Sequence, residues 1–235
     1  MERARRIWLC LLFLALFLAL FLALPLPPAP VGALAQTEER AEYLMVGYAP
    51  KGRIPGVAVY RNDGGTLRGK WTNGQAQGRI LTETAVPQSL TDGIEGTYDT
   101  TGVNPDGRAY RGKLGIRKIG DKVYALAWTN GDTGIGLLAG QALVVGYGEQ
   151  AGVALYAIKP DGSGDGGWTT VAAAGGIGRE QFYGGGSLTA THRAKGALPN
   201  GAPYEATVTI TKEGNAYRLA WSTGEVGVGL LVTAR

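Results

Sequence analysis

Four tryptophans, Trp71, Trp128, Trp168 and Trp221, are the side chains of this sequence best suited to recognise a ligand. All four fall at duplicated positions, so each half of the chain requires two of them. An indole offers a broad apolar face and one N–H donor. It can fill a core, or it can line the mouth of a barrel and stack on a small apolar or sugar-like molecule.

The residues that could carry bond-making chemistry are fewer. His192 is the single histidine. A Ser-His-acid triad around it would have to draw on Ser89, Ser163, Ser187 or Ser222, none of which sits in a nucleophile-elbow context. The ordinary reading is an exposed strand or loop histidine, and no catalytic residue is assigned. Asp161-Gly162-Ser163-Gly164-Asp165-Gly166 resembles the opening of a calcium loop, but Ala172 stands at the twelfth position, where a bidentate glutamate is needed. A hairpin turn is the better expectation, and no metal site is read. Asp132 and Glu225 occupy equivalent places after Trp128 and Trp221. Paired carboxylates would suit glycoside hydrolysis, but these two belong to different units and read as turn residues.

What must position these side chains is a repeat. Tyr124–Leu138, YALAWTNGDTGIGLL, returns as Tyr217–Leu231, YRLAWSTGEVGVGLL, with nine of fifteen positions identical. A second pair of segments also recurs. Leu44-Met45-Val46-Gly47-Tyr48, Gly56-Val57-Ala58-Val59-Tyr60 and Gly69-Lys70-Trp71-Thr72 match Leu143–Tyr147, Gly152–Tyr156 and Gly166–Thr169. The order along the chain is first kind, second kind, first, second. It divides the chain into units 43–139 and 140–235, after a signal peptide at 1–35 and a flexible polar stretch at 36–42.

Within the units, short apolar runs punctuated by Gly, Asn and Asp indicate many strands joined by tight turns. Tyr204, Ala206, Val208 and Ile210 alternate with polar residues and share an inward face, as do Tyr110, Gly112, Leu114 and Ile116. Tyr217, Leu219 and Trp221 form the next inner set. Gly134 and Gly136 share a face, which marks a close neighbour such as the ring of Trp128 or Trp71. Each unit offers seven or eight strands with one apolar face, and such a sheet closes on itself to remove its edges. The fold expected is all-β: two tandem small antiparallel up-and-down β-barrels from an internal duplication. A barrel built from Gly96 to Tyr183, with the chain ends completing another, is the alternative pairing; a four-bladed arrangement comes third.

Arg3, Arg5 and Arg6 precede the apolar run Ile7–Leu24, and prolines break that run before Ala33-Leu34-Ala35. This is the layout of a cleaved secretory signal, with an uncleaved anchor as the alternative. Cleavage takes away the only cysteine, three arginines and one glutamate, leaving twenty basic and eighteen acidic residues. The exported chain is then nearly neutral and free of thiols. Nucleic acid, disulfides and thiolate metal sites are excluded on those grounds, and no cofactor is expected.

The runs GTYDTTGVNPDG, YRGKLGIRKIG, VYALAW, GIGLL, ALVVGYG, GVALYAIKPDG and GGW together resemble a family of uncharacterised exported bacterial β-domains, some described as fibronectin-binding. The resemblance covers nearly all of Tyr43–Arg235. It implies secretion to the periplasm or beyond, a barrel of lipocalin or avidin (calycin-like) type, and no reaction. The function expected is an exported, non-enzymatic binding protein that holds a small apolar or sugar-like ligand at its tryptophans. The alternative is an adhesin or hydrolase inhibitor that meets an extracellular protein through exposed strands and loops. Oligomeric state is not legible.

Overall fold

The computed structural model describes residues 41–233. The signal segment, with Cys10 inside it, and residues 36–40 lie outside the described residues. Sixteen strands follow one another: β1 (Glu42–Pro50), β2 (Gly56–Asp63), β3 (Thr66–Asn73), β4 (Leu81–Asp92), β5 (Glu95–Val103), β6 (Ala109–Gly120), β7 (Val123–Trp128) and β8 (Thr133–Ala139). Then come β9 (Ala142–Tyr147), β10 (Gly152–Ile158), β11 (Gly164–Thr170), β12 (Gly178–Tyr183), β13 (Thr191–Ala197), β14 (Pro203–Glu213), β15 (Ala216–Trp221) and β16 (Glu225–Thr233). β1 therefore begins at Glu42, inside the stretch read as flexible. No helix among the described residues is long and apolar enough to cross a membrane.

The strands form two closed antiparallel barrels of eight. Barrel one is the uninterrupted meander β2 to β9. Barrel two contains β10 to β16 and is closed by β1, which pairs with β10 on one side and β16 on the other. The expected boundaries at 43–139 and 140–235 are therefore corrected: the units exchange their first strands. The alternative barrel from Gly96 to Tyr183 does not form, although the chain ends do meet where β1 pairs with β16.

The reason for the exchange lies in the sequence of those strands. Leu44, Val46 and Tyr48 of β1 face into barrel two, and Leu143, Val145 and Tyr147 of β9 face into barrel one. The two inner sets are nearly the same, so either barrel can accept either strand. Both strands are also apolar on their outer face, the pattern of a strand buried on two sides. Met45 and Val144 join Val57, Ile135, Val153, Val228 and Leu230 in a third core between the barrels. There β1 crosses β2 face to face, and a Cβ on Gly47 would lie 1.9 Å from the carbonyl oxygen of Gly56. The same contact recurs between β9 and β10, where a Cβ on Gly146 would lie 1.9 Å from the Gly152 oxygen. Only glycine allows backbones to approach so closely.

Inside each barrel the register follows the alternation. Val208, Ile210, Leu219 and the half-buried Trp221 share the core of barrel two; Leu114, Ile116, Leu126 and Trp128 share that of barrel one. Of the β8 glycines, Gly134 makes room for a ring as expected, since its Cβ would sit 3.2 Å from the Trp128 ring, and Gly227 stands in the same relation to Trp221 at 3.1 Å; Gly136 makes room for Leu143 and Leu126 instead. Trp71 is not the ring involved.

Candidate ligand cavities

Each barrel is open at one end and plugged at the other. In barrel one the plug is Tyr98, almost fully buried, whose hydroxyl donates to the carbonyl of Ile94 at 2.7 Å. In barrel two the same place is taken by His192, which is 1% exposed, lies 3.1 Å from the Leu188 carbonyl through Nε2 and packs on Phe182. The reading of His192 as an exposed residue is corrected. It lies on the inner face of β13, and burial follows from that side of the alternation.

The open ends hold cavities of about 440 Å³ in barrel one and about 400 Å³ in barrel two. Trp71 and Trp128 line the first; Trp168 and Trp221 line the second. All four are half-buried wall residues rather than closed core. Each barrel draws a further aromatic from the exchanged strand. Tyr147 of β9 lies 6.4 Å from Trp71 and 6.0 Å from Trp128, ring centre to ring centre, and Tyr48 of β1 lies 5.8 Å from Trp221.

At the floor of each cavity sits a glutamate that the sequence reading passed over. Glu83 on β4 accepts the Tyr60 hydroxyl at 2.5 Å and the Trp128 indole N–H at 3.3 Å on Oε1, and the Tyr110 hydroxyl at 2.7 Å on Oε2. Glu180 on β12 repeats the arrangement. Its Oε1 accepts from Tyr156 at 2.8 Å and Trp221 at 3.2 Å, and its Oε2 from Tyr204 at 2.9 Å. Both glutamates are 4% exposed. Neither takes part in an ion pair among the described residues; the pairs present are surface contacts such as Lys113 with Asp99. A buried carboxylate without a cation is costly, and three O–H and N–H donors are what offset that cost here.

The tyrosines are held as neutral donors. Burial first, and then the adjacent carboxylate, push Tyr60, Tyr110, Tyr156 and Tyr204 well above the ordinary phenol range. The buried indole N–H groups of Trp71 and Trp168 have no hydrogen bond of regular geometry, although each lies near a tyrosine hydroxyl, Tyr110 and Tyr204 respectively.

Asp132 and Glu225 do not come together, because each stands at the mouth of its own cavity. Each cavity thus has one carboxylate at the floor and one at the rim. The turn role holds for Asp132, whose backbone N–H donates to Asn130 Oδ1 at 3.1 Å and whose carbonyl accepts from the Trp128 N–H at 2.9 Å; Glu225 is instead the first residue of β16, opposite Pro50 of β1. The loop at Asp161 is a hairpin between β10 and β11. Asp161 Oδ1 accepts from the Ser163 hydroxyl at 2.6 Å and from its backbone N–H at 2.9 Å, and these bonds hold the carboxyl below its usual range.

The walls differ more than the floors. Asn73, Gln75, Asn104 and Asn130 ring the mouth of barrel one, where barrel two has Thr170, Leu198 and Thr223. Arg111 and Lys113 belong to the exposed face of β6, opposite the inward Tyr110 and Gly112. The chain matches no protein-family model, and neither curated proteins nor solved structures give a match.

Proposed function

We propose that the protein is an exported, non-enzymatic binding protein in which each barrel is a cup for a small molecule. One observation carries this reading: the duplicated cluster of Glu, two Tyr and Trp beneath an open cavity walled by aromatics. A core that needed only to be filled would be filled by larger side chains, as the closed ends are by Tyr98 and His192. The volumes suit a small ligand, and the mixture of aromatic wall and few convergent polar groups is the usual composition of such sites. Binding is favoured over catalysis because the floor carboxylates are engaged by tyrosine and tryptophan donors rather than poised beside a nucleophile. Export is the part of the reading that rests on residues 1–35.

Native mass spectrometry of the protein recovered from its own cells tests this directly. The expected spectrum shows a discrete added mass, in one or two copies, that disappears on denaturation and is lost in Trp168→Ala or Trp71→Ala. A retained mass that both variants keep would place the ligand elsewhere and overturn the assignment.

A further inference from the structure

Resting on the reading of the cavities as ligand cups, we infer that the ligand they select is an organic cation, a molecule bearing a protonated amine or an alkylated ammonium head. Three features point the same way. First, the inner surface of each cavity carries negative charge at two depths, Glu83 with Asp132 and Glu180 with Glu225. No lysine, arginine or histidine lines the cavity of barrel two; in barrel one Arg111 and Lys113, on the exposed face of β6, reach the rim of the cavity, and Lys113 pairs there with Asp99 at 3.3 Å. The countercharge is therefore absent from the protein side in barrel two, where the case is clearest, whereas in barrel one Arg111 and Lys113 stand at the rim of the cavity and leave only its floor, at Glu83, without one.

Second, the floor carboxylate is prepared for one more donor. A carboxylate offers about four lone-pair positions. Glu180 uses three, two on Oε1 and one on Oε2, and Glu83 uses three in the same way. The position left on Oε2 would take the N–H of a protonated amine or face the positive head of an alkylated ammonium, whereas an anion would meet the carboxylate at its closest approach.

Third, the walls are built from the faces that attract cations. Trp168, Trp221, Tyr48 and Tyr204 surround the cavity of barrel two, and Trp71, Trp128, Tyr147 and Tyr110 that of barrel one. Two tryptophans and tyrosines around one charge form the arrangement by which aromatic cages hold alkylammonium groups. A purely apolar ligand would explain the aromatics but not the duplicated buried acid. A sugar could use the unbonded indole N–H groups of Trp71 and Trp168, but, being neutral, it would leave the two acids of barrel two without a countercharge.

The test compares choline with dimethylbutanol, its neutral analogue in which carbon replaces the ammonium nitrogen, and with glucose, each titrated against the full chain and followed by tryptophan emission and calorimetry. Choline is expected to bind saturably and at least about tenfold more tightly than dimethylbutanol. Glu180→Gln, which keeps the shape and most of the hydrogen bonding, and Glu225→Gln at the mouth, which leaves the floor untouched, are each expected to weaken choline binding in barrel two by about tenfold while dimethylbutanol is unaffected. Equal binding of choline and dimethylbutanol, or choline binding indifferent to both variants, overturns the inference. Binding of dimethylbutanol or glucose without choline overturns it and leaves the cavities as ligand cups of another class. Silence of all three overturns the inference and counts against the cups as well.

Discussion

Replacing Tyr156 by phenylalanine removes a single oxygen from the floor cluster of barrel two, and the structure sets what that should cost. Tyr156 is 2% exposed, and the remaining ring keeps its edge contact with Phe182 at 5.1 Å between centres. Packing is thus conserved, and the loss is that of a bond to a carboxylate, 2.8 Å long, with the Glu180 oxygen left one donor short. Bonds to charged groups contribute about 1.5–3 kcal/mol, against about 0.5–1.5 kcal/mol for neutral pairs. Tyr98→Phe is the internal control, since its hydroxyl donates at 2.7 Å to the Ile94 carbonyl, a neutral acceptor. Urea unfolding of the two variants should therefore show Tyr156→Phe to be the more destabilising by about 1 kcal/mol or more. In a Glu180→Gln background the cost of Tyr156→Phe should fall toward the neutral value, a coupling that a double-mutant cycle isolates. Equal costs for Tyr156→Phe and Tyr98→Phe, with no coupling to Glu180, would refute the view that the floor carboxylate depends on these donors. Tyr60→Phe should repeat the result through Glu83.

Two other outcomes follow from the same geometry. Stability should fall as pH rises above about 10, because the unfolded tyrosines ionise there while Tyr60 and Tyr156 are held protonated well above that value and Tyr98 is pushed up to about 12. The folded state then binds more protons than the unfolded one, so tyrosinate absorbance should rise together with unfolding; independent titration of all eleven tyrosines near their ordinary pKa would contradict this. Gly47→Ala and Gly146→Ala should each cost about 1–3 kcal/mol or more in urea unfolding, since their Cβ atoms would fall 1.9 Å from a carbonyl oxygen. Gly115→Ala, whose Cβ would meet nothing closer than 3.9 Å, should be tolerated, and equal costs at the three sites would argue against the crossing of β1 over β2 and β9 over β10.

The barrels were legible because alternation survives in both copies of the repeat. Tyr204 to Ile210 and Tyr110 to Ile116 keep the same phase despite their different sequences, and Trp128 and Trp221 fall on the inner side by counting alone. The floor glutamates escaped because an acid inside a strand reads as an outward residue. The signal was nevertheless present: Glu83 and Glu180 each stand twelve residues after a duplicated tryptophan, and Glu180 shares its face with Phe182. His192 escaped for the opposite reason. Its counterpart Tyr98 is chemically unlike it, so equivalence shows only once both side chains are seen bonding a carbonyl four residues back. The exchange of β1 and β9 could not be read from order along the chain, since LMVGY and LVVGY present the same inner residues to either barrel. Their continuous apolar character, buried on both faces against the shared core of Met45, Val144 and Val228, was the one available hint.

The most direct test of the account is a thermal-shift screen of the full chain against small molecules that span organic cations, sugars and neutral apolar compounds, read together with indole emission. The cavities predict at least one class that raises the melting temperature and perturbs the tryptophans, with the effect reduced in Trp71→Ala for barrel one and in Trp168→Ala for barrel two. A screen in which no class shifts either signal, or in which every shift persists in both variants, would contradict the claim that these duplicated aromatic cups are built to bind.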